Sequence, residues 1–211
     1  IGNLLSDGTW QYTWEHGRQL SGMTDTSGNT LAYSYGTDGL RTEKTYTPVN
    51  GTEYYERYYY SESALCYIVY TGGVMSFLYD ANGGLLSTNV NGTNYIYLKN
   101  AQGDIIGLAD KLGNVVVEYT YDAWGNILSI TGSLAGTLGQ DNPFRYRSYC
   151  YDDETGLYYL GSRYYDPQVG RFINADEYVS TGHGILGYNV FIYCENNPVN
   201  KKDPNGNTNI I

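Results

Sequence analysis

The side chains that carry catalysis or metal binding in most proteins are thinly spread in this chain. His16 and His183 are the only histidines, far apart and without the clustered ligand spacing of a zinc site. Cys66, Cys150 and Cys194 are odd in number and widely separated, so there is no CxxC metal or redox pair, and small buried hydrophobes are expected. Asp80-x-Asn82-Gly83 and Asp203-x-Asn205-Gly206 open like a calcium loop, but neither has the bidentate glutamate six residues past the glycine. Asn50-Gly51-Thr52 and Asn91-Gly92-Thr93 match a glycosylation sequon, yet Asn-Gly is first of all a hairpin turn. There is no phosphate loop and no GxSxG elbow. No cofactor and no metal site are expected. What is abundant is the phenol ring: 26 tyrosines. They could stack sugars or bases as a binding surface, or fill one face of a large sheet with their hydroxyls at its rim. Ring spacing decides between these, and it follows a repeat.

Composition narrows the classes further. With 12 basic and 22 acidic side chains the formal net charge is −10, and with no basic stripe duplex nucleic acid is not an expected partner. The longest apolar runs fall far short of the ~18 residues of a membrane helix, so no span is expected. Glycine reaches 27 residues without a triplet period and beside only 5 prolines, which excludes collagen. Aromatic content of 16% opposes disorder. The chain opens Ile1-Gly2-Asn3 with no initiator methionine and no signal-peptide pattern, the expectation for a piece of a longer protein.

The elements that must position these residues come from one recurring phrase: aromatic, any residue, aromatic, often an acid, then a glycine. It reads Tyr12-Thr-Trp14-Glu15-His-Gly17, Tyr33-Ser-Tyr35…Asp38-Gly39, Phe77-Leu-Tyr79-Asp80…Gly83, Tyr119-Thr-Tyr121-Asp122…Gly125 and Tyr149-Cys-Tyr151-Asp152…Gly156. Gly17, Gly28 and Gly39 are 11 apart. Two rings separated by one residue share a strand face; the acid opens a turn, and the glycine supplies positive φ to close it. The spacing predicts an extended, curved, antiparallel β-hairpin meander whose units must stack to bury their faces. Residues 45–75 are tyrosine-rich but off this pattern. A helix of two turns is expected over 187–198, with Val190, Phe191 and Cys194 on one face and Pro198 ending it.

The Tyr-x-Tyr-Asp-x-x-Gly phrases resemble the tyrosine–aspartate (YD) repeats of bacterial Rhs proteins. The C-terminal third is closer still. Asn142-Pro-Phe-Arg145-Tyr-Arg147, Asp153-Glu-Thr-Gly156-Leu-Tyr158-Tyr159, Ser162-Arg163-Tyr164-Tyr165-Asp166-Pro167, Gly170-Arg171-Phe172-Ile173, Asn196-Asn197-Pro198-Val199 and Asp203-Pro204-x-Gly206 follow in order. Together they are similar to the Rhs repeat-associated core domain. The resemblance implies YD-type repeats over 1–141, a core domain over 142–206, and a tail, 207–211, where a toxin domain would begin. It implies a β-shell that holds a C-terminal polymorphic toxin, in a protein that is secreted or at the bacterial cell surface, with a cytoplasmic stage before delivery left open.

It implies chemistry as well. In several family members the core domain cuts the chain just after the DPxG phrase by an aspartyl-protease-like reaction. Carried onto this chain, the carboxylates are Asp176 and Asp203, with Arg171 to orient a carboxylate or the scissile carbonyl, and the boundary lies between Gly206 and Asn207. Two carboxylates that share one proton provide a base for water and an acid for the leaving amide. Asn207 departs from the apolar residue usual after that glycine, and Glu177 from a common proline or glycine. The competing reading is that Asp176 and Asp203 cap turns. The expected function is a carrier module whose partners are the toxin domain and the remaining shell repeats. Single-turnover self-cleavage, a glycan-binding surface and pairing through an open strand edge are the alternatives.

Overall fold

The computed structural model describes residues 2–176 and 189–207. His183, Glu177 and residues 208–211 therefore lie outside the described residues. The chain is nearly all β. It divides into two compact units, Ile1–Asn94 and Tyr95–Ile211. The motif boundary at residues 141 and 142 falls inside the second of them.

The first unit contains β1 (Trp10–Glu15), β2 (Gln19–Asp25), β3 (Thr30–Tyr35), β4 (Arg41–Thr47), β5 (Tyr54–Ser61), β6 (Ala64–Tyr70), β7 (Gly73–Tyr79) and β8 (Leu85–Val90). The second continues from β9 (Thr93–Lys99), which begins before the division, through β10 (Ile105–Ala109), β11 (Val115–Tyr121) and β12 (Ile127–Thr131). Within each unit sheet order equals chain order, β1 to β8 in the first and β9 to β12 in the second, an antiparallel meander. Alternation drives it. In β1, Trp10 and Tyr12 are buried while Gln11 and Thr13 face out, and in β3 Leu31 and Tyr33 are buried between exposed neighbours. The outer edge of β1 is not bare: the Tyr12 amide donates to the Leu5 carbonyl at 2.9 Å, and Ser6 bridges Gln11.

Each Asp-x-x-Gly-Asn turn has one construction. At Asp110 the carboxylate oxygen Oδ1 accepts from the amides of Leu112 (2.8 Å) and Asn114 (2.9 Å), while Oδ2 takes the Asn114 Nδ2 donor at 2.9 Å. Asp25 with Asn29 and Asp122 with Asn126 repeat it. At 100–104 the two polar residues are exchanged, and Asn100 Nδ2 donates to Asp104 Oδ2 at 2.6 Å. The glycine of the turn must adopt positive φ; Gly125 sits at +93°, and a Cβ there would lie 2.6 Å from Tyr146 Cδ1. Asp80, which opened the calcium-like phrase, holds the amides of Asn82 and Gly84 in the same way, as a turn residue.

The second ring of the pairs in β3, β5, β7 and β11 follows a β-bulge, with register shifts at Ser34/Tyr35, Tyr59/Tyr60, Leu78/Tyr79 and Thr120/Tyr121. The bulge re-aims the ring across the neighbouring strand. Its hydroxyl then donates to a carbonyl at the start of the preceding even-numbered strand: Tyr35 to Leu20 (2.9 Å), Tyr60 to Arg41 (2.9 Å), Tyr79 to Leu65 (2.8 Å) and Tyr121 to Ile105 (2.8 Å). Trp14 Nε1 does the same to Leu4 at 2.7 Å. The residues so capped form the buried row of each unit, and Leu20, Arg41 and Ile105 are wholly buried. Arg41 holds an otherwise apolar place because its guanidinium lies over the rings of Tyr58 and Tyr33, at 4.6 and 5.4 Å.

A four-stranded antiparallel sheet follows: β13 (Cys150–Asp152), β14 (Leu157–Tyr159), β15 (Tyr164–Asp166) and β16 (Arg171–Phe172). Tyrosines of this sheet and of the 3-10 turn before it seize the last repeat turn of the same unit. Tyr146 donates to the Ala123 carbonyl (2.9 Å), Tyr165 to Trp124 (2.8 Å) and Tyr158 to Gly125 (2.8 Å). Arg147, in a left-handed conformation (φ 54°), ties Gln102 to Pro198 by donating to both carbonyls. The helix expected over 187–198 is not two turns long: within the described part, only Cys194–Asn196 forms a 3-10 turn, and with φ near +50° at Cys194 and Glu195 it cannot propagate as a right-handed helix. A single α-turn, α1 (Leu138–Asp141), joins the two sheets and was not expected.

Two predictions test this account. Tyr121→Phe leaves the Ile105 carbonyl one donor short and should cost about 1–2 kcal/mol in urea unfolding, whereas Tyr59→Phe on the exposed face should change stability by less than about 0.5 kcal/mol. The turn aspartates make stability pH-dependent. The hydrogen bond from Asn114 holds the Asp110 carboxyl below its ordinary 3.8, with desolvation opposing, and Asn29 does the same for Asp25. The folded chain then binds fewer protons than the unfolded one, so this contribution is complete above the ordinary value and is lost as pH falls through the depressed one. Asp110→Asn should therefore flatten the loss of urea midpoint on going below pH ~4.

Candidate functional site

The second sheet brings the expected carboxylates together, and it does so around Arg163. This arginine sits in the turn between β14 and β15, where the Leu160 amide closes the turn on the Arg163 carbonyl at 2.9 Å. Its guanidinium lies over the Phe172 ring, 3.6 Å from the centroid, which fixes its plane. One nitrogen, Nη2, meets both acids: Asp176 Oδ2 at 2.9 Å and Asp203 Oδ2 at 3.2 Å. Nη1 donates to the Val190 carbonyl at 3.2 Å, and Nε donates to the carbonyl oxygen of Gly206.

Each partner is held by its own element. Asp176 ends the buried run Ile173–Ala175 that follows β16, and its amide donates to the Val190 carbonyl at 2.9 Å. Asn174, wholly buried, accepts from the Tyr164 amide at 3.0 Å and so fastens that run beside β15. Asp203 has no exposed surface, and its amide donates to the Tyr149 hydroxyl at 3.0 Å. That hydroxyl lies 3.2 Å from the Tyr193 hydroxyl. Burial pushes the Tyr149 phenol well above its ordinary range, so it stays protonated beside the carboxylate. Burial likewise raises the Cys194 thiol to about 12, and Cys150 is buried too, so these two cysteines lie in the core.

Gly206 is fitted rather than merely permitted. It adopts φ +79°, and a Cβ there would come 2.7 Å from Ser162 Oγ and 3.1 Å from the Arg163 amide nitrogen. Any other residue would push the carbonyl away from Arg163. Asn207 continues the chain with its amide bonded to Asn205 Oδ1 at 3.1 Å.

Asp176, Asp203, Gly206 and Asn207 are thus assembled in one place, while Arg171 stands apart from them. It is exposed at the start of β16, opposite Asp166 in the sheet. The guanidinium at both carboxylates and at the boundary carbonyl is that of Arg163. A signal for it was present: an arginine set between Leu160 and Tyr164-Tyr165, in a run destined for the core, must bring acids in with it. Asp203 is no simple turn cap, because its carboxylate faces Arg163.

A family model described as Teneurin YD-shell matches residues 2–199. The chain belongs to the Teneurin YD-shell family. Among curated relatives of this YD-shell chain, the tRNA3(Ser)-specific nuclease WapA of Bacillus spizizenii is 38% identical over 211 residues, covering 97% of this chain. The tRNA nuclease WapA of Bacillus subtilis is 39% identical over the same share. The YD-shell chain spans only 9% of the length of either. A solved structure, TcdB2-TccC3-Cdc42, shares the fold at a TM-score of 0.76 and 22% identity, covering 97% of this chain and 10% of that one. The Rhs-type reading of the repeats and core is therefore correct. Among the described residues no helix is long and apolar enough to cross a membrane.

Removing the charge that neutralises a buried carboxylate is costly. Arg163→Met should lower stability by about 3–5 kcal/mol, because Asp203 would be left buried without its cation. Arg171→Met should change it by less than about 0.5 kcal/mol. Equal unfolding midpoints for the two variants would refute the assignment of Arg163 as the cation of the site.

Proposed function

We propose that this YD-shell chain is the closing segment of a β-shell that holds and presents a C-terminal toxin domain. The observation that carries this reading is the docking of the last repeat turn on Tyr146, Tyr158 and Tyr165 in a unit that also fastens Asp203–Gly206. The repeats are thereby finished off, and the chain is led to an anchored exit. The nuclease named in each Bacillus relative supports a toxin as the cargo, and export or display at the cell surface follows from such a role. Limited proteolysis of the protein with its native downstream sequence tests it. The downstream domain should resist digestion when linked to the shell and be digested quickly when expressed alone. Equal rates would dismiss the enclosure.

A second reading, self-cleavage after Gly206, is favoured by the contact of Arg163 Nε with the Gly206 carbonyl. Two carboxylates on one guanidinium leave one negative charge over, which a single shared proton neutralises. Asp176 is the more open of the two, its side chain 16% exposed against none for Asp203, and it takes the proton of an entering water. The hydroxide adds to the Gly206 carbonyl carbon while Arg163 holds the developing oxyanion. Asp203 protonates the Asn207 nitrogen, the C–N bond breaks, and the products are a Gly206 carboxylate and a new amino terminus at Asn207. Mass spectrometry of the extended chain should show two fragments meeting at Gly206–Asn207, lost in Asp176→Asn and Asp203→Asn. A single intact mass at every pH, in wild type and variants alike, would reject cutting.

A further inference from the structure

We propose that Ser162 is the positioning and specificity residue for position 207, a clasp that selects a side chain with a hydrogen-bond acceptor immediately after Gly206. As a determinant of cleavage it rests on the self-cleavage reading; as a clasp it stands on its own geometry. Ser162 occupies the β14–β15 turn next to Arg163, and its Oγ donates toward two acceptors of the exit segment: the Asn205 carbonyl oxygen at 2.8 Å and Asn207 Oδ1 at 3.0 Å. The Ser162 amide also points at the Asn205 carbonyl, at 3.3 Å. A hydroxyl has one proton and two lone pairs. That one proton serves two acceptors, the Asn205 carbonyl oxygen and Asn207 Oδ1, and the Ser162 amide supports the first of them.

The clasp closes a small ring. Asn205 Oδ1 holds the Asn207 amide, the nitrogen that would leave, and Ser162 holds both the Asn205 carbonyl and the Asn207 side chain. Between them Gly206 presses against Ser162 Oγ so closely that no Cβ fits. The carbonyl of residue 206 is therefore aimed at Arg163 by contacts on either side of it. Asn at 207 supplies an acceptor where leucine would supply none. Aspartate would keep that acceptor.

Amide hydrogen exchange at residue 207, followed by NMR on the whole chain, reads the clasp directly. Ser162→Ala and Asn207→Leu should each speed exchange there roughly tenfold. The double variant should be no faster than either single one, since both remove the same contact. Asn207→Asp, which keeps the acceptor, and Ser162→Thr, which keeps the hydroxyl, should both retain protection. Unchanged exchange in Ser162→Ala, or additive effects in the double variant, would overturn the proposal. In the chain carrying its downstream sequence, the same variants should slow appearance of the Gly206 fragment in parallel. Full clasp coupling in exchange with an uncut wild type would retain Ser162 as a positioning residue and sink only the self-cleavage reading. Cutting in wild type that proceeds equally fast in Ser162→Ala would sink its part in specificity.

Discussion

The hairpins that begin with β1, β3, β5, β7 and β11 each depend on a phenol or indole that reaches back to the main chain before it. Backbone pairing alone makes a ladder, and a ladder of short strands can slip or splay. The bulge at Tyr35, Tyr79 and Tyr121 swings a ring over the start of the preceding strand, and the hydroxyl closes on a carbonyl beneath it. A ring so placed covers the apolar row and satisfies a buried acceptor with the same side chain. A leucine could do the first and not the second. Tyrosine abundance is the compositional trace of that double duty.

The second sheet uses the same device for another purpose. Tyr146, Tyr158 and Tyr165 carry three hydroxyls to three successive carbonyls of one turn. Their rings also form the aromatic core in which Tyr165 and Tyr193 lie 4.0 Å apart. Rigidity is what the neighbouring site requires. Arg163 can serve two acids and two carbonyls at once only if Phe172 fixes its plane and the buried 173–175 run fixes Asp176.

How much of this could be read from residues alone varies with the range of the interaction. Turns were legible because Asp110 and Asn114 are local partners four positions apart. Strand faces were legible because Tyr12 and Tyr33 obey a period of two. Asp176, Asp203 and Gly206 were legible as a group only through the order of the C-terminal phrases. What could not be read was which cation meets them. Arg163 and Arg171 both lie near aromatic residues, and only the fold of the β14–β15 turn decides which one points inward. The helix expected before Pro198 failed for a related reason. Val190 and Cys194 have helical spacing, yet the backbone there bonds to Arg163 and to the 171–176 segment instead.

The bonds between hairpins have a direction. In each of them the donating ring is later in the chain than the carbonyl it meets: Tyr35 after Leu20, Tyr79 after Leu65, Tyr121 after Ile105. A hairpin that emerges first is complete except for the cap its successor will bring, and a later one has nothing to grip until the earlier is in place. Such a structure grows like masonry laid in courses from the amino end. Its natural order of assembly is the order in which a ribosome or an export channel delivers it.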